Sequence, residues 1–317
     1  MTEKKSARPY PGALLNPRLD ANFKALFTHN SPESRRALKS FLEAVLGAKV
    51  SNIELAPNEL PEDSTTDKQA QFDVSCVLNG KDAVNIEIQG LDVDNCYAKR
   101  AEYYVAHLLN HYTPRGIDWQ DVPKVFQISV LNFIYDETSP RSLSVYTMQT
   151  DDSRKLTDRM SIIFIELPKM KQNESEESLN SLTAAEKWGK FLLYADRAEK
   201  QDYVSKLCRS TEGLMDAQVT LAKISQDEAN WLREMSIDKR QRDISSAIRA
   251  GRENGIAEGF QRGMETGIQR GIQQGIQNGI HQKAIETAKK ALSLGLDVET
   301  VCKISGLAKD EIENLCY

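Results

Sequence analysis

Residues 71–89, QFDVSCVLNGKDAVNIEIQ, alternate apolar and polar side chains through two runs separated by Asn79-Gly80. Phe72, Val74, Cys76 and Leu78 are apolar, with Asp73 and Ser75 between them. In the second run Val84, Ile86 and Ile88 are apolar, with Asn85, Glu87 and Gln89 between them. Period-two alternation of this length describes half-buried strands, and Asn-Gly supplies the chemistry of a tight turn. The pattern also restricts the pairing. A two-residue loop sets each apolar row against a polar one, which a strand with one buried face disfavours. A three-residue loop, Asn79 to Lys81, sets Leu78 opposite Asp82 and Asp73 opposite Glu87. Both apolar rows then share one face, and Asp73, Glu87 and Gln89 share the other. Gly80 or Lys81 is expected to carry the left-handed backbone of such a loop.

Two carboxylates side by side repel unless something neutralises them. A hard cation such as magnesium does so with one or two carboxylates, water and phosphate oxygens. It also activates water and steadies charge on a phosphodiester. Gln89 points the same way and can orient water or phosphate without supplying charge. The pattern alone is equally that of an ordinary hairpin with a solvated polar face.

The D…ExQ arrangement resembles the PD-(D/E)XK nuclease superfamily in its transposase-like, Rpn-type recombination-promoting branch. The resemblance is carried in order by LDANFKALF (residues 19–27), FDVSCVLNG (72–80), NIEIQG (85–90), KRAEYYVAHLL (99–109) and IELPK (165–169). Gln89 stands where the superfamily usually has lysine, and this branch commonly has glutamine there. The resemblance implies a restriction-endonuclease-like α/β fold: a mixed sheet flanked by helices. It implies a bacterial, magnesium-dependent DNA endonuclease, with manganese as a substitute. Asp73 and Glu87 would hold the metal, with the backbone carbonyl of Ile88 as a further ligand. Gln89 would orient the attacking water or the scissile phosphate, and Asp20 would lie near the active site.

Other residues read two ways. Asp20 is either a site residue or an acid stabilising a helix N-terminus. Lys24 is either a phosphate contact or a surface lysine, and so is Lys68. The planar fork of Arg100 suits phosphate, and it equally suits a salt bridge with Glu102. Tyr103 and Tyr104 either stack on a base or pack. A different class of function is also open: a non-catalytic DNA-binding or assembly protein that works through its helical tail. The same core also serves RNA or other phosphate esters.

Composition narrows the alternatives. The net charge of −5 confines nucleic-acid binding to local patches. The five cysteines show no CxxC spacing, which speaks for reduced thiols in a cytoplasm and against a zinc site. The four histidines are not clustered, so a Ser-His-Asp triad has little support. No apolar run is long enough to span a bilayer, and no signal-peptide stretch opens the chain.

The chain divides by pattern. Residues 1–17 are a flexible lead-in, and 18–170 the nuclease-like core. Within the core, helices are expected from Asp20, from Ser31 or Ser34, and over 96–111; strands are expected at 50–55, 124–133, 142–149 and 160–167. Strand, helix, strand across 84–133 predicts a right-handed crossover to a parallel neighbour. From residue 182 to 250 a helical extension is expected, packed on the core or projecting from it. Over residues 251–282 glycine recurs at every fourth position, and an apolar residue follows each from Ile256 to Ile280. Each such glycine weakens an isolated helix by about 1 kcal/mol. The charged residues between exclude a bilayer, leaving a soluble helix seam, hence a homo-oligomer, or a low-complexity linker. Residues 283–317 form a small helical module with a helix-turn-helix pattern, whose acidic last segment favours packing or dimerising over base reading.

Overall fold

The computed structural model describes residues 8–10, 12–58, 72–92, 96–171 and 177–315; Lys68 lies outside them. The elements in chain order are α1 (Asp20–Thr28), α2 (Pro32–Leu46), β1 (Ile53–Leu55), β2 (Val74–Leu78), β3 (Asp82–Gln89), α3 (Tyr97–His111), β4 (Val125–Leu131), β5 (Leu143–Thr147) and β6 (Met160–Glu166). There follow α4 (Ala184–Tyr194), α5 (Gln201–Arg209), α6 (Glu212–Ile224), α7 (Glu228–Ser293), α8 (Val298–Ser305) and α9 (Lys309–Glu313). The chain forms two compact units, Met1–Ile237 and Asp238–Tyr317.

The first unit is an α/β layer around a six-stranded sheet ordered β1-β2-β3-β4-β6-β5. The β2–β3 pair is antiparallel, with Leu78 opposite Asp82 and Val74 opposite Ile86, the register expected from the apolar rows. β3 and β4 are parallel, joined by α3 as the crossover. β4 and β6 are also parallel, and β5 is an antiparallel edge strand on β6. Positive φ falls on Asn79 and Gly80, so Lys81 is not the left-handed residue. Asparagine tolerates that backbone. Its Oδ1 also accepts from the N–H groups of Ser51 and Asn52, which ties the turn to the start of β1.

One sheet face carries Val74, Cys76, Leu78, Val84, Ile86, Ile88, Ile128, Val130, Ile163 and Ile165 into the main core. Helices α1, α2 and α4–α6 cover that face. Ser31 caps α2, accepting from Ser34 N–H, and Gly47 ends it in the left-handed conformation. Phe27 and Phe41 meet the fully buried Trp188 of α4 at ring distances of 5.8 and 5.4 Å. Burying side chains of this size contributes roughly 1.5–3 kcal/mol each.

Several elements differ from the sequence reading. Ala13, Leu14 and Leu15, read as part of a loose lead-in, are buried in the core. Leu15 N–H donates to Ser225 Oγ at 2.9 Å and Asn16 N–H to Glu234 at 3.1 Å, so the segment is pinned by the end of α6 and the start of α7. The helices from 184 to 224 share the sheet's core through Trp188, Phe191, Leu207 and Leu214. Phe72 does not continue the row of Val74, Cys76 and Leu78. It lies under α3 with Ala83, Val105, Leu108 and Val125, because the chain leaves strand geometry before Val74.

The hairpin's polar face is not solvated. Helix α3 lies over it, and Ser75, Asn85, Glu87, Gln127 and Ser129 are all buried.

In the second unit, α8 and α9 pack against the end of α7 through Ala288, Ala291, Val301, Leu307 and Ile312. Asp297 caps α8 and Gly306 ends it. The glycine-periodic segment, read as a helix seam or a low-complexity linker, is helical: α7 is one helix of 66 residues that runs through it. Among the described residues no helix is long and apolar enough to cross a membrane.

Candidate active site

The sheet brings its acids together where β2 has ended and β3 runs on. Glu87 sits on β3 beneath α3 and is 5 % exposed. Its Oε2 accepts from the Tyr97 hydroxyl at 3.3 Å, and its Oε1 accepts from Asn85 Nδ2 at 3.3 Å. Asn85 Nδ2 also donates to Gln127 Oε1 at 2.6 Å, and Gln127 Nε2 donates to Ser129 Oγ at 3.2 Å. A buried polar ladder therefore runs across β3 and β4 and ends at Glu87. Buried polar groups need such partners, and here the partners also fix one carboxylate.

Asp73 immediately precedes β2 and is half-buried. Its Oδ2 accepts from the backbone N–H of Ile88 at 2.8 Å. Asp20, in the first turn of α1, brings its carboxyl within hydrogen-bonding range of Asp73. Asp20, Asp73 and Glu87 are thus within electrostatic reach of one another, although 67 residues of sequence separate the first from the last. Burial and the neighbouring Asp20 hold Asp73 well above the ordinary carboxylate range, opposed by the Ile88 N–H. Burial pushes Glu87 up to about 7, opposed by Arg100, Asn85 and Tyr97. Acids so crowded must hold a proton among them or meet a cation.

The donor chemistry fits a hard divalent cation, since the acids offer carboxylate oxygens and the surroundings offer no thiolate or imidazole. Among the described residues, no three His, Cys, Asp or Glu side chains are set to enclose a metal ion. The fit is therefore to a cation held by one or two carboxylates with water completing its shell, as magnesium prefers.

The remaining candidates divide. Gln89, at the end of β3, has both ends of its amide engaged: Nε2 donates to Leu91 O at 2.9 Å, and Oε1 accepts from Arg100. Arg100 is exposed, and its guanidinium carbon lies 4.7 Å from the Tyr97 ring centre and 6.0 Å from that of Tyr104. It forms no salt bridge to Glu102 among the described residues. Lys24 lies one helical turn beyond Asp20 on the same side of α1 and is half-buried. Tyr104 packs edge-on against Phe72, and Tyr103 stacks on His107.

Tyr97 and Asp92 were not singled out from sequence. Asp92 Oδ1 accepts from the N–H groups of Cys96 and Tyr97 at 3.1 and 3.2 Å, which sets the start of α3 and so places Tyr97 and Arg100. An acid four or five residues before a helix start is the signal that was available. The Lys169 of IELPK belongs elsewhere. It is buried and pairs with the fully buried Glu166 at 2.8 Å. Its Nζ donates to Asp136 O at 2.7 Å, and Glu166 accepts from the Tyr135 and Asp136 N–H groups. That ion pair anchors the segment between β4 and β5.

A family model described as PD-(D/E)XK nuclease family transposase matches residues 17–251. A second, described as Rpn/YhgA-like nuclease family, C-terminal HTH domain, matches residues 281–317. No curated protein matches the chain, and no solved structure does.

Proposed function

This chain belongs to the PD-(D/E)XK nuclease family of transposase-like proteins, and we propose that it is a metal-dependent DNA endonuclease acting at Asp73 and Glu87. What supports the reading is the hydrogen bond from Ile88 N–H to Asp73, which ties Asp73 to the strand residue next to Glu87, with Asp20 and Glu87 both acting on the Asp73 carboxyl. Asp73 and Glu87 would hold magnesium, with manganese as substitute and the Ile88 carbonyl as a further ligand. The bound ion would lower the pKa of water and offset charge on the phosphate. The protein's own part is to hold that geometry. Ile88 N–H orients Asp73, while Tyr97 and Asn85 orient Glu87. Hydrolysis forms a bond from the water oxygen to phosphorus. The opposite ester bond breaks, and its oxygen leaves and takes up a proton. Asp20 would carry a proton from the water. Arg100 and Lys24 would face the DNA backbone.

The match of residues 281–317 to a helix-turn-helix domain supports DNA as the partner. A second copy of the chain is the partner we assign to α7. Ile256, Phe260, Met264, Ile268, Ile272, Ile276 and Ile280 are all more than half exposed. A Cβ added at any glycine from Gly251 to Gly279 would meet nothing within 4 Å, so no contact among the described residues accounts for these glycines. Close approach of another helix does. If that seam were the whole function, the chain would bind and assemble on DNA without cutting it.

The test is hydrolysis of duplex DNA by the purified chain. Cleavage stopped by a chelator and restored by magnesium or manganese is expected. Cleavage unaffected by the chelator, or none with metal present, contradicts the proposal.

A further inference from the structure

The acids of the site are faced by a cation built into the fold. Arg100 lies over the ring of Tyr97, whose hydroxyl donates to Glu87, so its guanidinium sits beside the proposed metal site. Its position is held by packing over the Tyr97 ring and by Gln89 Oε1. Tyr97 is itself held by Asp92 and Glu87. Among the described residues Arg100 forms no ion pair that would neutralise it. A guanidinium has five N–H donors. Gln89 engages only part of that fork, and the exposed remainder can meet a phosphate bidentately.

The chemistry of position 89 fits this arrangement. A carboxylate there would pair with Arg100 and cancel its charge. A lysine would repel it. A glutamine holds the guanidinium and leaves its charge intact, and its own Nε2 is turned away to Leu91 O.

We propose that Arg100 supplies the positive charge that meets the scissile phosphate at this site, and that Gln89 is a positioning residue for Arg100 rather than a group acting on water. The inference rests on the endonuclease reading and adds the phosphate-binding cation to it.

The test uses the full chain in two arms. In the first, binding to a labelled DNA duplex is measured over a salt series with calcium in place of magnesium. Arg100→Ala is expected to make the slope of log K against log salt shallower by about 0.9, the value for one phosphate contact. Gln89→Ala, which keeps the charge, is expected to leave the slope unchanged. In the second arm, magnesium-dependent nicking is followed. Arg100→Ala is expected to lose about 100-fold, the scale of removing one preorganised charge stabiliser. Gln89→Ala is expected to lower kcat more than it raises KM. Gln89→Lys is expected to be impaired by repulsion of Arg100, and the double variant Q89K/R100A to cut at least about tenfold faster than either single variant.

An unchanged salt slope in Arg100→Ala overturns the inference, as does a double variant no better than the singles. If the wild type cuts, Asp73→Ala does not, and Arg100→Ala cuts like the wild type, the endonuclease reading stands and this one fails. If the wild type does not cut at all, the endonuclease reading fails, and the salt slope alone decides whether Arg100 meets phosphate.

Discussion

Asp73 accepts a hydrogen bond from the backbone N–H of Ile88 at 2.8 Å, so the strand that carries Glu87 also orients Asp73. Ile88 lies between Glu87 and Gln89, and its side chain is buried in the main core. The spacing of the two acids is therefore set by β3 rather than by flexible side chains. Asp73 gains an N–H donor just before β2 begins, and that donor is one reason its carboxyl keeps a fixed orientation despite the crowding by Asp20.

That crowding has a consequence for stability. Burial raises Glu87 from 4.5 to about 7. The native state therefore holds a proton in a range where the unfolded chain has lost it. Stability from this group is full below about 4.5, falls as pH rises through 7, and stays low above. The raised Asp73 acts in the same direction. Carboxylates such as Glu33, lowered to about 2, act oppositely but only at acid pH, outside this window. Metal-free protein is expected to lose thermal stability between pH 5 and pH 8, and Glu87→Gln to flatten that loss, by up to about 3 kcal/mol. Thermal melting across pH in chelator, with and without magnesium, is the check.

Tyr97 holds Glu87 without forming part of any acid pair. Tyr97→Phe keeps the ring beneath Arg100 and removes the hydroxyl that donates to Glu87 at 3.3 Å. Loss of such a supporting hydrogen bond lowers metal affinity about 10–100-fold. The variant is expected to need correspondingly more magnesium for cleavage while melting within a few degrees of the wild type.

The Glu166–Lys169 pair is a different case. Both side chains are buried, and Glu166 is wholly inaccessible. Lys169→Ala would leave that carboxylate without its cation, which costs about 3–5 kcal/mol. Urea unfolding is expected to show a loss of this size, with reduced activity following from the lost fold.

Glycines in the two units should respond in opposite ways. A Cβ on Gly213 would come within 2.0 Å of Ser40 Cβ, so Gly213→Ala is expected to destabilise the core by about 1–3 kcal/mol. A Cβ on Gly263 or Gly267 would meet nothing, so alanine there is expected to raise helix content, by about 1 kcal/mol per site. If those glycines admit a second copy, the same G263A/G267A variant will associate less. Circular dichroism and sedimentation on one sample separate the two effects; association equal to wild type would contradict the helix seam.

The hairpin register was legible because alternation is local and both apolar rows had to share a core. The expected place of Asp73 opposite Glu87 was not reached by the ladder, because β2 begins only at Val74. What α3 does was not legible in the same way. Asn85 looks like a solvated strand residue, and only a helix laid over the sheet joins it with Gln127 and Ser129 in a buried ladder. Tyr97 reads as one apolar position on a helical stripe, and its hydroxyl finds Glu87 only after the β3–α3 turn. The placement of α4–α6 depended on partners more than a hundred residues away, such as Phe27 and Phe41 against Trp188. Gly251–Gly279 read as either a helix seam or a linker, and α7 runs through them as helix. Gln89 was read as a group for water or phosphate, but nothing in the sequence showed that Arg100 would occupy its carbonyl.

The central claim is that phosphodiester hydrolysis occurs at Asp73 and Glu87. The most direct measurement is nicking of supercoiled plasmid by the purified chain in magnesium or manganese, with Asp73→Ala purified and assayed alongside. Metal-dependent nicking by the wild type that is lost in Asp73→Ala, with both proteins folded, is the predicted result. Nicking by both, or by neither with metal present, would contradict it.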